Sequence, residues 1–125
     1  MIRQYLLSKI FFIVLFSLSQ SATAKPIELS VADVFKKKSA LLHKQIQVEG
    51  KVVKVNRGIL GLNWYHIQDG SGDPAKKNHN LTFTTKGPPP KVGMQVVATG
   101  YVDIDKKYGP YAYSILMYDA SFKVQ

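Results

Sequence analysis

Apolar and polar residues alternate after Lys44, and this pattern constrains the fold more than any other feature of the sequence. Apolar residues or glycine occupy every second position from Ile46 to Val52, and the alternation changes phase at Val53. A period of two is that of a β-strand with one buried face, and a phase change is typical of a β-bulge. The sequence therefore predicts a long, bulged first strand over residues 45–56.

Four further strands are predicted, because β-branched and aromatic segments recur between turn signals. These strands span residues 62–68, 81–85, 94–104 and 111–119. Five strands in about a hundred residues, with Gly50 and Gly100 where strands must bend sharply, are what a small closed barrel requires. We therefore expect an all-β barrel.

A short α-helix is predicted ahead of the barrel, over residues 30–44. Its apolar residues are spaced to lie on one side of a helix, and they are Val31, Val34, Phe35, Leu41 and Leu42. Ser30 opens the segment and Asp33 follows three residues later, which is a variant of the capping box that begins many helices.

The first 24 residues have the layout of a cleavable signal peptide. A basic start is followed by an apolar run over residues 10–18 and by the small-residue ending Ala22-x-Ala24. The apolar run is shorter than the ~20 residues that a membrane-spanning helix needs. We expect cleavage after Ala24, export to the periplasm, and a single domain over residues 25–125 that does not span the membrane.

Cysteine content and charge restrict the chemistry of the chain and the kinds of partner it can bind. The chain has no cysteine, which excludes disulfides, thiol redox chemistry and covalent attachment of c-type haem. Its net charge is +9, and Arg3 and Lys9 of the signal peptide account for two of these charges. A basic chain of this kind favours anionic partners such as nucleic acid, anionic lipid headgroups or acidic proteins. We expect the exported domain to be a monomer.

Several motifs resemble those of known OB-fold proteins. Val48-x-Gly50-x-Val52 and the later Tyr65-x-Ile67-x-Asp69-Gly70-x-Gly72 resemble the first hairpin of the anticodon-binding domains of aminoacyl-tRNA synthetases. The segments 64–70, 81–85, 92–93, 105–113 and 119–120 are similar to small exported bacterial OB-fold proteins, which are often labelled nucleotide- or DNA-binding. The helix before the first strand resembles that of periplasmic stress-tolerance OB proteins. The resemblance implies a five-stranded OB-fold barrel, although segment 73–80 and the triple proline 88–90 depart from the family pattern.

The candidate site lies on the outer face of the second and third strands, where OB barrels usually bind ligands. If Tyr65 and Ile67 point into the core, the alternate residues of that strand point outward. Candidate ligand-binding residues are Trp64, His66, Gln68, Thr82, Thr84, Tyr101, Tyr108, Tyr111, Lys54, Arg57, Lys106 and Lys107. Aromatic side chains interleaved with cations are typical of single-stranded nucleic acid binding. In the alternative, segment 73–80 covers Trp64 and the tyrosines close the barrel ends.

Metal binding and catalysis are not expected. The three histidines and the nearby aspartates lack the spacing of a preformed metal clamp, and these residues are His43, His66, His79, Asp69 and Asp73. Asp69-x-Ser71-x-Asp73 resembles the start of a calcium loop, but Pro74 stands where glycine is required. No serine elbow or phosphate-binding glycine loop is present. The His-x-x-x-Tyr motif of the periplasmic haem chaperone of cytochrome c maturation is also missing, since no histidine follows His79.

We therefore expect a non-catalytic periplasmic binding module without a cofactor, whose ligand is an extended anionic polymer such as single-stranded nucleic acid or an oligosaccharide. The alternative is a protein-interaction or stress-tolerance module of the envelope, which would dock through the same face or through the basic segment 36–38. Added salt should weaken phosphate binding steeply and should affect an interface of buried aromatic residues much less.

Overall fold

Strands dominate the structure, a computed structural model that describes residues 25–125. The predicted signal peptide lies outside the described residues. In chain order the elements are β1 (Ile27–Glu28), α1 (Val31–Lys36), α2 (Lys38–Leu41), β2 (Gln45–Ile59), β3 (Leu62–Gln68), a 3-10 helix (Pro74–Lys76), β4 (Leu81–Thr85), β5 (Gln95–Tyr108) and β6 (Tyr111–Val124). The bounds predicted for the second and third strands are confirmed. Within residues 25–125, none of the helices has the length and apolar character needed to cross a membrane.

The six strands form one sheet that curls into a partly closed ring. The strand order is β1-β2-β3-β4-β6-β5, and β2 also pairs with β5. The pairing of β4 with β6 is confined to Phe83 and Met117. The largest fully buried side chains include Tyr65, Phe83 and Ile67. Because the sheet curls round a core formed by these residues, the structure is compatible with the predicted all-β barrel.

Strand β2 closes the ring because it changes partner along its length. Its first half pairs with β5 from Gln45 to Lys51, and its second half pairs with β3 from Lys51 onward. A register shift between Val52 and Lys54 confirms the predicted bulge. Gly50 lies at this corner, where a Cβ atom would be 2.6 Å from Cγ2 of Ile67. Glycine therefore allows β2 and β3 to approach closely.

The N-terminal helical segment differs from the prediction of one helix over residues 30–44. It forms two short helices, α1 and α2, and Leu42 is exposed rather than buried. The chain leaves helical geometry there because Leu42 pairs with Val102 of β5 and the amide of His43 donates to the Val102 carbonyl at 2.7 Å. The Ser30 half of the predicted capping box is confirmed, since Ser30 Oγ accepts a hydrogen bond from the Asp33 amide.

The β5–β6 hairpin is longer than predicted. Residues 105–108, expected to belong to a loop, continue β5 up to Tyr108, and only Gly109 and Pro110 connect it to β6. Cross-strand pairs extend to Tyr108 and Tyr111 at the end of the hairpin. The hairpin therefore reaches the candidate site.

Candidate functional site

A cavity of about 520 Å³ lies between the turns of the β2–β3 and β5–β6 hairpins, and we call it the hairpin groove. Its lining combines aromatic and aliphatic side chains with few polar ones. The lining residues are Lys54, Asn56, Ile59, Leu60, Trp64, His66, Tyr108, Gly109, Pro110, Tyr111 and Tyr113. Five of the candidate residues lie together here, namely Lys54, Trp64, His66, Tyr108 and Tyr111.

Trp64 forms a wall of the hairpin groove, but it is only 4% exposed. Tyr113 stacks on it with ring centroids 5.7 Å apart, and Tyr108 packs edge-on at 5.4 Å. Its indole N–H donates to the carbonyl oxygen of Ile59 at 2.9 Å. The tyrosines of the β5–β6 hairpin therefore cover Trp64, whereas the alternative from sequence assigned this cover to segment 73–80. Its burial leaves Tyr111, which is 65% exposed, as the accessible aromatic platform.

His66 is held as a neutral imidazole with a defined proton position. Its Nδ1 lies 2.8 Å from Nδ2 of Asn80, an amide nitrogen that can only donate, so Nδ1 accepts and the ring proton resides on Nε2. Asn80 is oriented in turn by a hydrogen bond from Gln68 Nε2 to its Oδ1 at 3.2 Å. Burial lowers the pKa of His66, and the positive charge of Lys54 lowers it further. Near neutral pH the ring is therefore an uncharged hydrogen-bonding group.

The electrostatic character of the hairpin groove depends on Lys54. Among the described residues 25–125, it is the only lining residue with a formal charge, since no aspartate or glutamate of that range lines the groove. Burial and the neighbouring Tyr111 raise the pKa of Tyr113, so its phenol is uncharged. A ligand in this groove would meet aromatic surface, hydrogen-bonding groups and one ammonium group, which together favour a ligand with planar or ring-shaped groups and negative charge.

The remaining candidate residues do not line the hairpin groove. Thr82 and Thr84 pair with His66 and Trp64 across the strands and so share their face of the sheet, but both threonines are buried. Thr84 Oγ1 donates to the Met117 carbonyl at 3.0 Å. Gln68 orients Asn80, as described above. Tyr101 stacks on Tyr118 with centroids 5.6 Å apart, away from the groove lining.

Three predicted cations lie near the hairpin turns instead. Arg57 and Lys107 are exposed on β2 and β5 and do not line the groove. The ammonium group of Lys106 lies 3.4 Å from Oδ2 of Asp103. These cations can contribute to the long-range field around the groove, but they do not form its wall.

Sequence reasoning missed several lining residues. Tyr113 lies on the same face of β6 as Tyr111, as their separation of two residues in the sequence indicates. Ile59 and Leu60 form an apolar pair between Gly58 and Gly61, a position that turns usually fill with polar residues. The spacing of the two tyrosines and the apolar pair in the turn are both visible in the sequence. Only the contact between the two hairpins shows that these residues line the same groove.

The turn after β3 has a structural role. Asp69 Oδ2 accepts from the Val31 amide at 2.9 Å, and Ser71 Oγ accepts from the Ala32 amide at 2.9 Å, so the turn caps α1. Burial alone would raise the pKa of Asp69, but hydrogen bonds from Ser71 and Val31 lower it overall. Within residues 25–125, no group of three histidine, aspartate or glutamate side chains is placed to hold a metal ion.

A second depression, of about 510 Å³, is lined by Glu49, Lys51, Val53, Gln68, Asp69, Gly70 and Gln95. The lining of this depression has no aromatic residue and carries charges of both signs, so the hairpin groove is the better candidate for ligand binding.

Neither a scan against models of known protein families nor a search of curated proteins finds a match for this chain.

Proposed function

We propose that this protein is a non-catalytic OB-fold binding module of the periplasm that takes an extended anionic ligand, single-stranded nucleic acid or an oligosaccharide, into the hairpin groove. The observation that carries the proposal is the position of this aromatic-lined groove on the outer face of β3, between two hairpin turns. Export rests on the signal-peptide pattern of residues 1–24.

The strand connections support the OB-fold part of the proposal. Apart from the two-residue strand β1, the ring order is β2-β3-β4-β6-β5 and returns to β2. Counted from β2, this order is first, second, third, fifth, fourth, in a five-stranded, partly open barrel. OB barrels bind oligonucleotides and oligosaccharides on the face of their second and third strands, between the loops that correspond to the turns described here.

The chemistry of the groove supports an anionic ligand with ring-shaped groups. Tyr111 offers an exposed face for stacking, Lys54 offers a positive charge, and His66 offers a neutral hydrogen-bonding edge. Bases and sugars both stack on aromatic rings, and a phosphate or carboxylate group of the same polymer would be attracted by Lys54.

Fluorescence of Trp64, the only tryptophan of the chain, tests the proposal. The purified protein is titrated with single-stranded oligonucleotides and with anionic oligosaccharides at low and high salt. We expect saturable changes in emission whose affinity falls as salt is added, because phosphate binding releases counterions. Tyr111→Ala should weaken binding about tenfold, the range expected for loss of one stacking platform.

Two matched variants control for unspecific effects. Tyr101→Ala removes a tyrosine that lies outside the groove, and Lys123→Gln removes an exposed lysine at the far end of β6; both should bind like the unmodified protein. Lys54→Gln should weaken binding and reduce its salt dependence. If Tyr101→Ala is as damaging as Tyr111→Ala, or if no ligand changes the emission, the groove is not the site of an anionic ligand and the protein-partner alternative is favoured.

A further inference from the structure

The turns of the two hairpins expose apolar side chains next to each other. Ile59 and Leu60 at the β2–β3 turn are 46% and 66% exposed, and Tyr111 at the β5–β6 turn is 65% exposed. The turns are adjacent because all three residues line the hairpin groove. Three large apolar side chains thus project from one end of the molecule, and we call them the apolar tip.

Leu60 occupies a backbone conformation that disfavours leucine. Its φ is +56°, in the left-handed region that glycine and asparagine adopt more readily. A residue that is both highly exposed and poorly suited to its backbone adds nothing to the packing of the core. This combination is typical of a side chain retained for a contact outside the folded chain.

Basic residues lie on both hairpins that carry the apolar tip. Lys54 and Arg57 lie on the β2–β3 hairpin without any acidic residue between Lys54 and His66. On the β5–β6 hairpin Lys106 and Lys107 accompany Asp103 and Asp105, and the Lys106 charge is compensated by Asp103. The net positive charge of the two hairpin ends therefore comes from Lys54 and Arg57, because Asp103 and Asp105 balance Lys106 and Lys107, and this net charge suits a negatively charged surface.

We infer that the apolar tip docks on an anionic lipid surface, with Ile59, Leu60 and Tyr111 entering the interfacial layer and Arg57 and Lys107 contacting lipid phosphates. Apolar side chains bordered by cations are the combination that peripheral proteins use to bind such surfaces. The inference goes beyond the proposed function, because it concerns docking of the exposed hairpin turns on a surface and not binding of a soluble ligand, although Ile59, Leu60 and Tyr111 also line the groove.

Co-sedimentation with lipid vesicles tests the docking in the absence of any soluble ligand. Vesicles of phosphatidylglycerol and phosphatidylcholine are compared with vesicles of phosphatidylcholine alone. We expect binding to the anionic vesicles only, a loss of about tenfold for Leu60→Asn from reduced apolar burial, and a loss of about fivefold for Arg57→Gln. Leu60→Asn should fold at least as stably as the unmodified protein, since asparagine suits the left-handed backbone.

Val92→Asn is the matched control. Val92 is 63% exposed in the turn before β5 and follows Lys91, but it does not line the groove. This variant should bind vesicles within about twofold of the unmodified protein, as expected for a surface change away from the contact. The inference is overturned if anionic vesicles are not bound or if Leu60→Asn and Val92→Asn bind equally. It is also overturned if sedimentation velocity shows that the apolar tip joins two copies and vesicle binding survives Leu60→Asn.

Discussion

Replacing Trp64 by alanine tests whether this residue supports the wall of the groove or serves as an open platform for a ligand. The side chain is 4% exposed and contacts Tyr108, Tyr113 and the Ile59 carbonyl. Deleting a buried aromatic side chain of this kind typically lowers the free energy of unfolding by about 3–5 kcal/mol. In a domain of this size, each kcal/mol corresponds to roughly 4–8 °C in Tm, so the expected fall is at least about 12 °C.

The assay is thermal and urea unfolding followed by circular dichroism, because the variant lacks the fluorescent residue. Tyr111→Ala is the control, since its ring is mostly exposed and its loss should change the free energy of unfolding by no more than about 0.5 kcal/mol. A double-mutant cycle of Trp64 with Tyr113 should give a coupling of about 0.5–1.5 kcal/mol from the stacked rings. A loss below about 1 kcal/mol for Trp64→Ala, together with no coupling to Tyr113, would refute the burial of Trp64 beneath the β5–β6 hairpin.

Three further variants test other parts of the fold. Tyr65→Phe should leave the free energy of unfolding unchanged or raise it by about 1 kcal/mol in urea unfolding, because the buried hydroxyl has no hydrogen-bond partner among the described residues; a clear loss would mean that the hydroxyl is satisfied. Gly50→Ala should lower the free energy of unfolding by about 1–3 kcal/mol, since the added Cβ would lie within 2.7 Å of the β3 backbone. Gly87→Ala is the control, because its added Cβ would have its nearest neighbour at 3.9 Å and should leave the free energy of unfolding almost unchanged. Asp69→Asn should lower the free energy of unfolding by about 1 kcal/mol near neutral pH. Because folding lowers the pKa of Asp69, this loss should disappear as pH falls through the pKa of the folded state. Equal losses at pH 7 and pH 2 would contradict the capping role.

The barrel strands were predictable because each has one face in a common core. On β3, Tyr65 and Ile67 are buried and His66 between them is only half-buried, as the alternation indicates. The bulge near Val53 was visible for the same reason, since a change of phase in the sequence is a change of face in the strand. A period of two therefore shows which face of a strand is buried wherever the strand lies between the core and solvent.

The hairpin arms beyond the barrel were harder to predict, because they have no core to impose alternation. The run from Asp105 to Tyr108 is mostly charged and resembles a loop, yet it pairs with β6 as far as Tyr111. The contact of Trp64 with Tyr113 joins residues far apart in sequence, so neither residue reveals it alone. The turn residues Ile59 and Leu60 were likewise unassigned until the second hairpin was placed beside them.

Several departures from ordinary folding rules lie at the hairpin end of the barrel. Leu60 is exposed and has a left-handed backbone conformation, and Tyr111 is exposed on a hairpin turn. Burial and the neighbouring Lys54 lower the pKa of His66. None of these features strengthens the barrel, and the left-handed backbone conformation of Leu60 weakens it. Since sequences retain such departures chiefly where a function requires them, the hairpin end is where a partner should be sought. Tyr111 belongs to both the groove and the apolar tip, so other residues must separate the two roles. We expect Lys54→Gln to weaken mainly the soluble anionic ligand, and Leu60→Asn and Arg57→Gln to weaken mainly docking at a surface.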